Sequence, residues 1–223
     1  MKKSILALLV VALGATSVLA HNIWASKNKK EVKLYFGDWA DDVLEKGERL
    51  NMIKTEIILP SNNVKHISRE EGYILIELAQ SLDTVVINER EPRKSRINQN
   101  LSRSVTAARA GRNDPTALAT LDMIPQKPNS NTFTLVYQGN PLAKKSVTVY
   151  SPTTWSKTFR TNDKGEFTLH TPWQGEYMIE VKHEDNTAGK INEKPYESTN
   201  YTTTLTFNVQ NGIAWGRPLP LAQ

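Results

Sequence analysis

Four histidines, His21, His66, His170 and His183, are the side chains of this 223-residue sequence best suited to chemistry near neutral pH, because cysteine is absent. An imidazole can ligate a metal, accept a proton or carry one. Without cysteine there are no thiolate zinc sites, iron–sulfur clusters, cysteine nucleophiles or disulfide frameworks. His21 stands out by position. If the chain is cut after Ala20, His21 becomes the first residue and offers two nitrogen donors, its α-amine and ring Nδ1, which close a chelate ring around one ion. An α-amine has an ordinary pKa of about 7.7–8.0, so a metal displaces its proton readily at neutral pH. A second histidine would complete three coplanar nitrogens, a geometry that favours Cu(II) or Ni(II).

His183 is the expected partner. It continues the face marked by Tyr177, Ile179 and Val181 and points inward at the end of a strand. A polar group at such a rim needs a ligand or a hydrogen-bond partner, and a backbone carbonyl would serve equally well. Asp38, after Gly37 at the end of an early strand, offers an oxygen ligand or a hydrogen-bond acceptor for a ligating imidazole; the same residue also suits an ordinary turn. The expected metal site is therefore His21, His183 and Asp38, with the strand bearing His21 beside the end of the strand bearing His183. Trp24 reads as core or as a wall of that site. His170 follows inward Leu169 and reads as a surface residue, as does His66 beside Lys65. Catalytic motifs are missing: there is no Gly-x-Ser-x-Gly elbow, His-Glu-x-x-His helix or glycine-rich phosphate loop, and the expectation is a protein that is not an enzyme. A Ser-His-Asp triad needs no fixed spacing, so sequence does not test it. An oxidative copper enzyme would need an open coordination position and a flat substrate surface, and neither is written in the sequence.

The elements that must position these residues are strands. Val32/Leu34/Phe36, Phe133/Leu135/Tyr137, Val147/Val149, Phe167/Leu169, Tyr177/Ile179/Val181 and Leu205/Phe207/Val209 alternate with polar neighbours. Turn signals such as Gly139-Asn140-Pro141 and Asn162-Asp163-Lys164-Gly165 separate them. The expected class is all-β, with two antiparallel β-sandwich domains of Ig-like or transthyretin-like type and a short helical, basic insertion between them. That insertion, residues 90–112, carries seven Arg/Lys and one acid, Glu91. It reads as a solvated segment, with Val105–Ala110 as a short helix and Asp114-Pro115 as the start of another. Pro125 and Pro128 place the boundary near 128, giving domains at 21–128 and 129–210 and a tail at 211–223.

Met1-Lys2-Lys3, the apolar run Ile5–Leu13 and Val18-Leu19-Ala20 have the layout of a cleaved signal peptide over 1–20. The chain is then expected in a bacterial periplasm and not spanning a membrane. Cleavage removes two of the 28 basic residues and none of the 23 acidic ones. The mild positive charge that remains does not call for nucleic acid.

Two resemblances follow from specific residues. Gly139-Asn140-Pro141-Leu142, Val147-Thr148-Val149, Thr161-Asn162-Asp163-Lys164-Gly165-Glu166-Phe167 and Gly175-Glu176-Tyr177 resemble the transthyretin-like, carboxypeptidase-regulatory-like domain. Over nearly the whole chain a second set keeps its order: His21-Asn22-Ile23-Trp24, Phe36-Gly37-Asp38, Leu121-Asp122-Met123-Ile124-Pro125, Val181-Lys182-His183-Glu184, then Gly189, Tyr196, Tyr201 and Thr203-Thr204-Leu205-Thr206-Phe207. Together these resemble the NikM-like periplasmic family of unknown function. Asp38 stands where that family often has Glu, and the 90–112 segment is unusually basic. The resemblance implies an association with metal uptake; joined to the nitrogen chelate, the expected function is nickel or copper binding for uptake, with a membrane or outer-membrane transporter as partner. The competing reading is a non-catalytic interaction module that binds a receptor, peptide or glycan without metal.

Overall fold

Alternation of apolar and polar residues accounts for most of the strands in the computed structural model, which describes residues 21–94 and 99–214. The expected signal peptide, and the tail from Trp215 onward, lie outside the described residues. The first strands are β1 (Asn22–Asn28), β2 (Glu31–Asp38), β3 (Val43–Leu44), β4 (Ile57–Leu59), β5 (Val64–Arg69) and β6 (Ile74–Leu78). β7 (Thr84–Lys94), β8 (Leu101–Ala110), β9 (Leu121–Pro125), β10 (Thr132–Tyr137), β11 (Asn140–Pro141) and β12 (Ser146–Tyr150) follow. The last are β13 (Ser156–Arg160), β14 (Glu166–Thr168), β15 (Gly175–Asp185), β16 (Gly189–Ile191), β17 (Lys194–Tyr196) and β18 (Ser198–Val209). Gly47–Met52 and Ser61–Asn63 form short 3-10 turns. The chain is all-β, and among the described residues no helix is long and apolar enough to cross a membrane.

The described strands form three larger sheets and the two-stranded β16-β17. The first has the order β1-β2-β6-β5 with β3 on β2, and the second joins β9, β11 and β14 to β10. The third is long, β13-β12-β15-β18-β8-β7-β4, and draws strands from both sides of residue 128. Its pairs are antiparallel except β18 with β8, which run parallel from Ser198 opposite Ser102 to Thr206 opposite Ala110. Two apolar clusters hold the sheets together. Ile23, Val32, Leu34, Phe36, Ile74 and Ile76 of the first sheet meet Ile58, Val86, Ala108 and Ala110 of the long one. Leu121, Met123, Phe133 and Leu135 meet Val147, Tyr177, Ile179, Val181, Leu205 and Phe207.

Because the long sheet is covered on opposite faces, β15 and β18 are dressed differently on each side. Leu205 and Phe207 face the second cluster, whereas Thr204 and Thr206 donate their hydroxyls to the Ile23 and Ala25 carbonyls of β1. Among the described residues β1 has a strand neighbour only in β2, so these threonines satisfy acceptors along its open edge. This contact fixes where the first sheet sits on the long one.

The expected helix over Val105–Ala110 is instead part of strand β8, and the basic segment forms most of a hairpin with β7. The alanines favour helix locally. Here Ala107, Ala108 and Ala110 are all buried in a strand with neighbours on both edges, so no alternation survives to mark it. Nor is the segment uniformly solvated. Arg109 is fully buried and donates to Asp122 at 2.8 Å, to Asp83 at 3.4 Å and to the carbonyls of Asp114 and Thr116. Asp83 also accepts the backbone N–H groups of Asn113 and Asp114. That network pins 113–120 as irregular chain where a second helix was expected.

Candidate functional site

Between the first sheet and the start of β15 lies a cavity of about 470 Å³. β1 contributes Trp24 and Ser26, β2 contributes Tyr35 and Asp38, and the following turn contributes Trp39 and Asp42. The opposite wall is Ser151, Pro152 and Thr154 after β12, with Gln174, Gly175 and Glu176 entering β15. Trp24 and Tyr35 are cross-strand partners, their rings stacked at 5.6 Å between centroids. Trp39 meets Trp24 edge-on at 5.5 Å, and Tyr73 extends the row from Tyr35 at 5.9 Å. Lys33 holds its ammonium 4.6 Å from the Tyr73 centroid. At the other wall Trp155, 42% exposed, sits edge-on to Trp173 at 5.5 Å, each next in sequence to a cavity residue. Every described tryptophan therefore lies in or beside this cleft.

Two backbone features shape it. A Cβ on Gly37 would lie 1.9 Å from the Val43 carbonyl oxygen; only glycine lets β3 pair with β2 there and carry the turn bearing Trp39 and Asp42. Gly175, at φ +127°, brings β15 against Pro152, where a Cβ would come within 2.8 Å of the ring. The polar lining is acidic. Asp38 Oδ1 accepts the N–H groups of Ala40 at 2.9 Å and Asp41 at 3.2 Å, which shapes the turn. Ser26 donates its hydroxyl to Glu176 at 2.7 Å. Burial pushes the Glu176 carboxyl up to about 7, against the pull of that hydrogen bond. The Tyr35 phenol is also raised, first by burial and then by Glu176.

The residues expected to bind metal are dispersed. His21 Nε2 lies 2.7 Å from Glu45 Oε1, with its ring 5.6 Å from Phe36. Asp38 lines the cleft and serves its turn. Along β15, Glu176 bonds Ser26 and Glu180 accepts from Asn22, so the even-numbered positions face β1. His183 has the opposite parity and lies with Tyr177, Ile179 and Val181 on the other face. Its ring is 4.5 Å from Tyr137, and among the described residues its buried Nδ1 has no hydrogen-bond partner. Burial, then nearby Lys145, holds the His183 imidazole below its ordinary pKa. Inward pointing, right for His183, thus carries it away from His21: a sheet lies between them. A site using both histidines does not fit this geometry, and no group of three or more His, Asp or Glu among the described residues is arranged to hold a metal. His66 and His170 are exposed.

The cleft residues other than Trp24 and Asp38 had no sequence signal as a site. Glu176 stands in the sequence only inside the fold motif Gly175-Glu176-Tyr177, and Trp39 carries no sequence signal. No protein-family model, curated protein or solved structure matches the chain.

Proposed function

We propose that this protein is a non-catalytic binding module exported to the periplasm, and that its ligand enters the aromatic cleft. The observation that carries this reading is the gathering of Trp24, Tyr35 and Trp39 on one wall of a 470 Å³ cavity, with Trp155 and Trp173 beside the other. Cavities of roughly 300–1,000 Å³ with aromatic walls and a few fixed polar groups are the usual form of small-ligand sites. Two Ig-like or transthyretin-like sandwiches sharing the long sheet would be the scaffold; the two separate apolar clusters support that description. The test is thermal unfolding of the purified protein against peptides, glycans and small amines. A ligand at a hundredfold excess over its Kd should add about 2.7 kcal/mol, and the gain should fall to about half of that in Trp39→Ala. Stabilisation by Ni(II) or Cu(II) alone would contradict the reading.

One observation favours a second reading, metal capture for an uptake transporter, as the resemblance to the NikM-like family implies. A ligating histidine commonly gives its other ring N–H to a carboxylate, and His21 Nε2 already meets Glu45. In a chain beginning at His21 the amine and Nδ1 would form the chelate, without His183. This reading shares no ligand with the cleft, so the two are separable by experiment.

A further inference from the structure

The protein carries more basic than acidic residues, 28 against 23. The cleft reverses that balance. Its thirteen lining residues include three carboxylates, Asp38, Asp42 and Glu176, and no lysine, arginine or histidine. The neighbouring 100 Å³ cavity behaves differently: Glu180 there is paired with Lys182 at 2.9 Å. Glu176 has a hydroxyl as its hydrogen-bond partner and faces no cation in the lining. A half-buried carboxylate without a cation is an unfavourable arrangement that a positively charged ligand would relieve. The walls argue for the kind of cation. A hard metal ion is held by a close shell of six to eight oxygens, whereas stacked indole and phenol rings attract an ammonium through their negative faces. The same aromatic row already holds one ammonium, that of Lys33 over Tyr73. Resting on the reading of the cleft as the ligand site, we infer that its ligand is a small organic cation whose ammonium group sits between the Trp24, Tyr35 and Trp39 rings and the carboxylates of Asp42 and Glu176.

The experiment follows tryptophan fluorescence of the purified protein during titration with tetramethylammonium, choline and spermidine, and separately with uncharged maltotriose. At least one cation should give a saturable change. Trp39→Ala should weaken that binding by about tenfold and Asp42→Asn by about threefold, while Trp39→Phe, which keeps an aromatic face, should retain it. Asp42 is exposed on a turn, so its replacement tests the charge without endangering the fold. Saturation by maltotriose and by none of the cations would overturn the inference and leave the cleft a ligand site. Saturation by none of the four probes would overturn both. A cation response equal in all variants would put the cation outside the cleft and overturn the inference as well.

Discussion

Replacing Glu176 by glutamine should make the protein more stable above pH 7 and leave it unchanged near pH 4. The carboxyl titrates at about 7 in the folded chain against an ordinary value of 4.5. Below 4.5 it is protonated in both states and contributes nothing. Between 4.5 and about 7 the native state holds a proton that the unfolded state has released, so stability falls as pH rises. Above 7 both states are ionised and the whole penalty is present. The interval corresponds to about 3 kcal/mol, and the solvent reaching the cleft wall reduces this to about 1–3 kcal/mol. Glutamine keeps the shape and an oxygen for the Ser26 hydroxyl, so it removes the charge and little else. Across the cleft lining stand Ser26 and Tyr35 on the first sheet, with Asp38 and Asp42 nearby; among these described residues none supplies a positive charge. Urea unfolding of both proteins from pH 4 to pH 8.5 measures the difference, and in thermal melts each kcal/mol should appear as about 2–4 °C. A gap between the two proteins that is the same at pH 4 and pH 8, or a Gln variant less stable at pH 8, would refute the argument.

Arg109→Leu should destabilise the protein by about 3–5 kcal/mol, since it leaves buried Asp122 without its counter-charge and leaves Asp83 with Lys27 alone; a loss under 1 kcal/mol in urea unfolding would show the network to be dispensable. Gly37→Ala should cost more than an ordinary surface change and also alter the near-UV circular dichroism of Trp24 and Trp39, because the new methyl collides with the Val43 carbonyl. Calorimetric titration with Cu(II) tests the chelate: a chain beginning at His21 should lose tight binding when one residue is added before it, whereas His183→Ala should bind as the parent does. Equal affinity with and without the added residue would end the metal reading, and loss of binding in His183→Ala would contradict the separation of the two histidines.

Strands with one covered face were legible because burial and sequence share a period of two: Val32/Leu34/Phe36 on β2 is the plainest case. β8 was not. Its alanines are buried on both sides and its partner β18 comes from the far end of the chain, a pairing that local pattern does not encode. The same limitation explains the site. The inward direction of His183 could be read from its neighbours, but not which sheet would cover each face of β15. The tertiary arrangement sends His183 to Tyr137 and gives Glu176 and Glu180 to β1. Trp24 is both things its position allowed, a buried side chain and a wall. Trp39 and Asp42 become cleft residues only because Gly37 lets the following turn fold back, a close approach that the local sequence pattern does not encode.

The most direct test of the cleft as a cation site follows the indole N–H resonances of Trp24 and Trp39 in nitrogen-15-labelled protein as tetramethylammonium, choline and spermidine are added in turn, with Trp39→Phe providing the assignment. With at least one of the three, both resonances should move together along one saturating curve. Indoles that stay still or drift linearly with all three cations would contradict the cation site.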